Sequence, residues 1–506
     1  MTDPAVVPTD AGPVRGAVTD GHRLFQGIPY AASTAGERRW RPPQPAPPWT
    51  RVRDATRPGP MCPQQPSAYA EVASVAEDCL CLNVTTPRAA GPQQPRPVMV
   101  WIHGDGAIGA GSFFDARRLA TVGDVMVVTI NYRLGIFGAF GHPGLEDSGA
   151  FGLQDQQAAL RWVARNAAAF GGDPGNVTLF GESYGGLSTS AHLVAPGSAG
   201  LFHRAIVQSG FALMDLPAGG IFPGLPAVAW YGWRSAAEVE ALGAAVGPQL
   251  GCADAATALA CLRGVPVPEL FAHAQPFQPY GFGNRVLPEV PAQTLADGRF
   301  HRVPVISGST RDEHRLFVGL FRALAGQPVT ARQYPPLLAE AFGDHAGEVR
   351  ARYPLSAYQS PSLAWATVLT DRMWARSTFR QHRLLARHVP VYAYEFADRH
   401  APMYLPFPED LPPGAFHAAE VPYLFPDRPF QAGSTPDQRR LSEQLMRYWA
   451  NFARAGDPNG PDLPPWPPFD NARPVPHVQS LAPGTGGIGP VDYAAEHQLD
   501  FWSGLP

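Results

Sequence analysis

A serine set between glycines, Gly181-Glu182-Ser183-Tyr184-Gly185, follows the apolar run Val177 to Phe180 and precedes a stretch with helical spacing, Tyr184 to Val194. A strand that turns sharply into a helix lifts the hydroxyl of the middle residue above the sheet, and the flanking glycines leave room for the strained backbone. A serine hydroxyl is a weak nucleophile until a base removes its proton and an acid orients that base. Two later segments carry such groups. Gly308-Ser309-Thr310-Arg311-Asp312-Glu313 follows the apolar run Val303 to Ile306 and places a carboxylate at the carboxyl end of a strand. By residue type alone, Asp312 and Glu313 are equally eligible. His417 lies in Gly414-Ala415-Phe416-His417-Ala418-Ala419-Glu420, a loop ahead of a helical segment.

Negative charge developing on an attacked carbonyl oxygen needs backbone N–H donors. The segment after Val98 to Ile102, His103-Gly104-Asp105-Gly106-Ala107-Ile108-Gly109, is a glycine-rich loop at a strand end that can supply them. The same residues spell a dinucleotide-binding G-x-G-x-x-G, with Asp124 twenty positions beyond Gly104. That motif requires its acid at the end of the next strand, whereas Asp124 precedes Val125 to Ile130, so the nucleotide reading fails on context.

The elements that must position these loops are short Val/Ile-rich runs: Val98 to Ile102, Val125 to Ile130, Val177 to Phe180, Ala205 to Val207, Val303 to Ile306 and Val391 to Tyr394. Unalternating runs of this kind suit a mostly parallel sheet covered on both faces. Helices are predicted at Gln154 to Ala169, Tyr184 to Val194, Ala364 to Arg387 and Asp437 to Arg454, so the alternation predicts an α/β fold. Residues 211–300 and 314–360 read as insertions. No linker-like cut divides the chain, and a single domain over 1–506 is expected.

Composition bounds the chemistry. The 506 residues carry a net charge of −4 and are 45% hydrophobic and 16% charged, against roughly 25% charged in an average soluble protein. All 39 basic residues are arginine, which excludes a lysine Schiff base, a Walker A lysine and a Ser-x-x-Lys nucleophile. The arginines are dispersed, so no nucleic-acid partner is expected. No run is long and apolar enough for a membrane span, and the first residues lack the pattern of a signal peptide.

The order serine, acid, histidine fits the α/β-hydrolase arrangement, and the chain resembles the type B carboxylesterases, the family of cholinesterases, carboxylesterases and bacterial p-nitrobenzyl esterases. The resemblance is nearly end to end. It is carried by Phe25-Gln26-Gly27-Ile28-Pro29-Tyr30-Ala31, Glu77-Asp78-Cys79-Leu80 with Leu82-Asn83-Val84, Asn131-Tyr132-Arg133-Leu134-Gly135, Phe170-Gly171-Gly172-Asp173-Pro174, Phe180-Gly181-Glu182-Ser183, and Gly456-Asp457-Pro458-Asn459 with Trp466-Pro467. It implies an α/β-hydrolase fold with a mostly parallel central sheet flanked by helices, and insertions that form a gorge over Ser183. It also implies a Ser183, Glu313, His417 triad, choosing Glu313 over Asp312. Oxyanion donors would be the amides of Asp105, Gly106 and Tyr184, with Glu182 and Ser209 supporting the triad. No cofactor or metal is implied.

Two segments depart from the family, at three positions. Its usual Gly-Gly-Gly-Phe is Gly104-Asp105-Gly106-Ala107 here, and its small residue after the serine is Tyr184. An ionised Asp105 beside a developing oxyanion would oppose catalysis unless it points away or binds a polar substrate group. It is therefore read as a substrate-facing specificity residue, against a loop-bracing alternative. Ala107 should open space beside the acyl pocket. Pocket candidates are Ala107, Ile108, Phe211, Leu213, Met214, Phe317, Met403 and Tyr404, whose apolar character favours uncharged hydrophobic or aromatic esters.

Of five cysteines, the pairs Cys62 with Cys79 and Cys252 with Cys261 match family disulfide positions and leave Cys81 odd. The first ring would contribute roughly 3 kcal/mol in the loop-entropy model. Disulfides point to an oxidising compartment and the missing signal pattern points away from one, so a secreted chain without its signal and a cytosolic enzyme with reduced thiols both fit. The first loop, Pro63 to Asp78, contains Tyr69 but no tryptophan to stack on a choline cation, which disfavours choline esters. The expected partner is a small-molecule ester, and the expected assembly a monomer or homodimer. Hydrolysis through an acyl-enzyme is the leading reading. An acyltransferase or cyclase on the same triad, and a noncatalytic binding module, are its alternatives.

Overall fold

The computed structural model describes residues 3–67, 72–221 and 224–505; Tyr69 lies outside them. The chain forms two compact bodies. The first comprises Met1–Val207, Gly232–Pro304 and Met446–Pro458, and the second Gln208–Tyr231, Val305–Leu445 and Asn459–Pro506.

In the first body, β1 (Ala17–Val18), β2 (His22–Pro29), β3 (Cys81–Pro87), β4 (Arg96–Ile102), β5 (Met126–Ile130), β6 (Gly172–Glu182) and β7 (Arg204–Gln208) lie in the order β7-β6-β4-β5-β3-β2-β1. β4 is parallel to β5 and β6, whereas β1, β2 and β3 form an antiparallel edge. In the second body, β8 (Val305–Thr310), β9 (Val391–Phe396) and β10 (Val478–Leu481) are parallel, and β11 (Ile488–Val491) closes the edge antiparallel. Every residue of β5, β8 and β9 is buried, as runs that are covered on both faces require. The architecture is a mostly parallel mixed sheet flanked by helices.

The helix Tyr184–Val194 occupies the predicted span, and the predicted 437–454 helix is Pro436–Ala455. The predicted 364–387 helix is instead Pro361–Leu369, a π-helical turn Thr370–Ala375, and Arg376–Leu385. All six residues of that turn are buried, including Asp371 and Trp374. The 211–300 insertion carries Ala236–Gln249, Ala258–Gly264 and Val267–Phe271, which pack Val239, Leu262 and Leu270 around Trp40 and Phe140.

Disulfides join Cys62 to Cys79 and Cys252 to Cys261. Cys81 is unpaired and buried, and burial pushes its thiol up to about 12. Asp124 caps the helix Arg117–Gly123 and pairs with Arg96 at 2.7 Å, a structural use that agrees with setting aside the nucleotide motif. Among the described residues no helix is long and apolar enough to cross a membrane.

Candidate active site

β6 ends at Glu182, and Ser183 turns the chain into the helix Tyr184–Val194 with φ 57° and ψ −119°. This is backbone that an L-residue adopts only under constraint from its surroundings. The constraint is close packing of glycines. A Cβ on Gly185 would lie 2.0 Å from the carbonyl oxygen of Ile102, and one on Gly181 2.5 Å from that of Gly185. The glycines of the G-x-S-x-G are thus demanded by the approach of β4 and of the turn to itself.

The loop after β4 packs on this elbow. A Cβ on Gly104 would fall 3.0 Å from Ser183 Cβ and 2.9 Å from Glu182 Oε2, which puts the glycine loop against the nucleophile candidate. Asp105 has φ 73° and Gly106 φ 81°, and the Gly106 N–H donates to the Gly104 carbonyl at 3.1 Å, closing a γ-turn at Asp105. Asp105 Oδ1 accepts from the amides of Ala107 and Ile108, both at 3.0 Å. That oxygen braces its own loop, as short acidic side chains do at turns.

Two braces went unidentified in the sequence. His103, buried and held neutral by burial to about 4, hydrogen-bonds the Gly104 carbonyl through Nδ1 at 3.0 Å and stacks on Tyr132, whose hydroxyl donates to the His103 carbonyl at 2.7 Å. Gln64, in the first disulfide loop, accepts from Gly109 N at 2.9 Å and donates to Gly109 O at 3.1 Å. Ala107 and Ile108 line a cleft of about 250 Å³ together with Leu134, Ile136, Phe137 and Phe271.

In the second body, β8 delivers Glu313. His417 Nδ1 is 2.5 Å from Glu313 Oε2, while Ser209 Oγ donates to Oε1 at 2.6 Å and Thr310 N at 2.9 Å. Glu313 is fully buried, so the carboxylate is desolvated and its oxygens are committed. Asp312 has a different role. Its N–H donates to the Ala415 carbonyl at 2.9 Å, its Oδ2 accepts from Ala415 N at 3.0 Å, and its carboxylate pairs with Arg315 and Arg399. It therefore clamps the loop that carries His417. Geometry separates the two neighbouring acids that residue type could not.

Near His417 lie the pocket candidate Phe317 and two groups that carried no sequence signal, Trp374 and Glu420. The Trp374 ring lies 4.7 Å and the Phe317 ring 5.0 Å from the imidazole, and the two stack at 5.7 Å. Trp374 Nε1 donates to His314 Nδ1 at 3.2 Å, and the far nitrogen of His314, neutral and lowered by burial to about 3, meets the Gly220 carbonyl. Glu420, three residues after His417, is fully buried and accepts from Gln208 and Tyr394. Burial and the Glu313 charge push it up to about 7.

Of the remaining pocket candidates, Phe211 packs edge-on to Trp374, Leu213 and Met214 are buried, Met403 is half-buried, and Tyr404 is exposed with its hydroxyl on Asp427. Of the eight non-glycine residues with positive φ among those described, four are Asp105, Ser183, Ser209 and Ala418. Each belongs to, or adjoins, a group singled out for catalysis. Strain at such positions persists only where packing over-determines it, which favours a functional use.

The carboxylesterase family matches residues 3–502. A cocaine esterase of Oryctolagus cuniculus is 36% identical over 503 residues, covering 91% of this chain and 90% of that protein. The para-nitrobenzyl esterase of Bacillus subtilis (strain 168) is 34% identical over 480 residues, covering 92% of each. A thermophilic pNB esterase structure superposes with a TM-score of 0.79 at 30% identity, over 99% of this chain and 100% of that one. These relatives are hydrolases by name, which favours hydrolysis over transfer to another acceptor. Matched from end to end in sequence and in fold, the chain belongs to the carboxylesterase family and is a carboxylic-ester hydrolase of the α/β-hydrolase fold.

Proposed function

We propose that the chain hydrolyses uncharged carboxylic esters through an acyl-enzyme on Ser183, with His417 as the base, Glu313 as the acid that orients it, and both bodies acting as one catalytic domain. The observation that carries this reading is the buried Glu313 to His417 contact of 2.5 Å, with Ser209 and Thr310 filling the other carboxylate oxygen. A carboxylate so placed fixes the imidazole proton on Nδ1 and makes Nε2 the accepting nitrogen. As Ser183 Oγ bonds to the ester carbonyl carbon, its proton passes to His417. The carbonyl oxygen takes the negative charge and is met by the amides of Asp105 and Tyr184 and by that of Gly106, which it shares with the Gly104 carbonyl. Collapse breaks the bond to the alcohol oxygen, which leaves with the His417 proton. Water then repeats the sequence, releasing the acid and restoring Ser183.

Asp105 is assigned to bracing its loop, in preference to the substrate-facing role, a reading supported by the two amides that its Oδ1 accepts from. The cleft beside Ala107 and Ile108 is mostly apolar, which supports hydrophobic or aromatic ester groups, and the relatives named for para-nitrobenzyl esters point the same way. A monomer or homodimer that needs no partner chain is consistent with this chemistry.

Turnover of p-nitrophenyl esters from acetate to decanoate, compared with Ser183→Ala, tests the proposal. Wild-type protein is expected to release p-nitrophenol, and the variant to lose at least about 10⁴-fold in kcat. Equal rates for the two proteins would refute the acyl-enzyme on Ser183.

A further inference from the structure

Tyr184 follows the nucleophile candidate, and its side chain reaches two separate parts of the first body. The ring lies flat against Gly106, where a Cβ would stand 2.8 Å from Cδ2 and 2.9 Å from Cγ and Cε2. The hydroxyl donates to the Gln278 carbonyl at 2.8 Å. The ring also packs on Tyr280 with centroids 4.7 Å apart, and Tyr280 is fixed by Ser188 at 2.8 Å and Gln156 at 3.1 Å. Gln278 lines the same cleft as Ala107 and Ile108. One buried side chain thus spans from the glycine loop to a wall of the cleft.

The loop needs such a support. Asp105 and Gly106 are consecutive residues in the left-handed region, and at Asp105 that conformation is costly for a residue with a Cβ. Asp105 Oδ1 secures the far side of the turn through Ala107 and Ile108, and the Tyr184 ring is pressed on the near side, on Gly106. A small residue at 184 would leave that face of Gly106 uncovered.

We propose that the Tyr184 side chain is a positioning residue: its ring holds Gly106 in the geometry that presents the oxyanion amides beside Ser183, and its hydroxyl couples that loop to the Gln278 wall, so that the ester group filling the cleft sets the rate. The proposal rests on the esterase reading above. The Tyr184 amide is retained in any substitution, so the side chain can be tested by itself. Oxyanion donors act on the transition state rather than on bound substrate, so a loosened loop lowers kcat and spares KM.

The experiment measures kcat and KM for p-nitrophenyl acetate and octanoate with wild type, Tyr184→Phe and Tyr184→Ala, after titrating active sites with diethyl p-nitrophenyl phosphate. Tyr184→Ala is expected to lose at least about thirtyfold in kcat per titrated site with KM within about twofold. Tyr184→Phe keeps the ring on Gly106 and removes only the hydroxyl on the Gln278 carbonyl, and its octanoate-to-acetate ratio of kcat/KM is expected to change by about fivefold or more. A Tyr184→Ala enzyme with wild-type kcat per site overturns the proposal, as does an unchanged chain-length ratio in Tyr184→Phe, which decides the matter if the alanine variant does not fold. Folded wild type with no turnover of either ester would overturn the esterase reading and this proposal with it; active wild type indifferent to Tyr184 overturns only the proposal.

Discussion

Glu313→Gln is expected to lower kcat by about 10⁴-fold with little change in KM, on the scale of a triad acid replaced by its amide. The reason lies in what the other oxygen binds. Ser209 Oγ and Thr310 N both donate to Oε1, so a glutamine must turn its carbonyl oxygen to that side and its NH₂ toward His417 Nδ1. That NH₂ can only donate, which drives the imidazole proton to Nε2 and removes the acceptor proposed for the Ser183 proton. Asp312→Asn should behave differently. It weakens the pairs to Arg315 and Arg399 and the clamp on Ala415, so it is expected to cost stability, on the order of 1–3 kcal/mol, and less than about tenfold in kcat. Steady-state kinetics and chemical denaturation of the two variants, side by side, check both expectations. Comparable kcat losses would contradict the division of labour between the neighbouring acids.

The second large effect belongs to the C-terminal segment of the second body. His497 is buried between two carboxylates, Nδ1 at 2.7 Å from Asp371 and Nε2 at 2.6 Å from Glu395. Burial opposes its charge, but the hydrogen bonds and charges of the two acids outweigh burial and lift it to about 10. A histidine whose pKa rises on folding stabilises the fold fully below its unfolded value near 6.5, and that stability drains away as pH climbs through about 10. His497→Gln leaves two buried carboxylates without their cation and is expected to cost roughly 3–5 kcal/mol at pH 6. The gap from wild type should narrow steadily toward pH 10. Urea unfolding midpoints across this range measure it, and a gap that is constant with pH would show that the imidazole is not charged in the fold. The same segment reaches β8: Tyr493 and Ser309 share a hydrogen bond at 2.8 Å, so the C-terminal residues support the strand that delivers Glu313.

Local chemistry was legible in the sequence, and long-range partners were not. The turn at Ser183 is written in residues that touch one another, because Gly181 and Gly185 are required by contacts within a few positions of the serine and with the adjoining strand. The helix Tyr184–Val194 followed from its own spacing. Residue type left Asp312 and Glu313 equal and the family resemblance chose Glu313; the physical difference between them lies in the positions of Ala415 and of His417, about a hundred residues away, which no local pattern encodes. The π-helical turn Thr370–Ala375 escaped for a similar reason. Its sequence continues a helical pattern, and the register shift is accompanied by buried partners, with Asp371 bound to Tyr353 and His497 and Trp374 bound to His314. Asp105 read as an anomaly against the family's glycine, and the contacts behind its proposed bracing role are with two amides that follow it in the chain.

The central claim, that Ser183 carries the acyl group, is tested most directly by covalent trapping. Wild-type protein treated with diisopropyl fluorophosphate and digested for mass spectrometry is predicted to carry one diisopropylphosphoryl group per chain, on the peptide containing Ser183, with esterase activity falling in proportion to labelling. Label on another residue, or full hydrolysis of p-nitrophenyl esters by protein completely labelled at Ser183, would contradict the account.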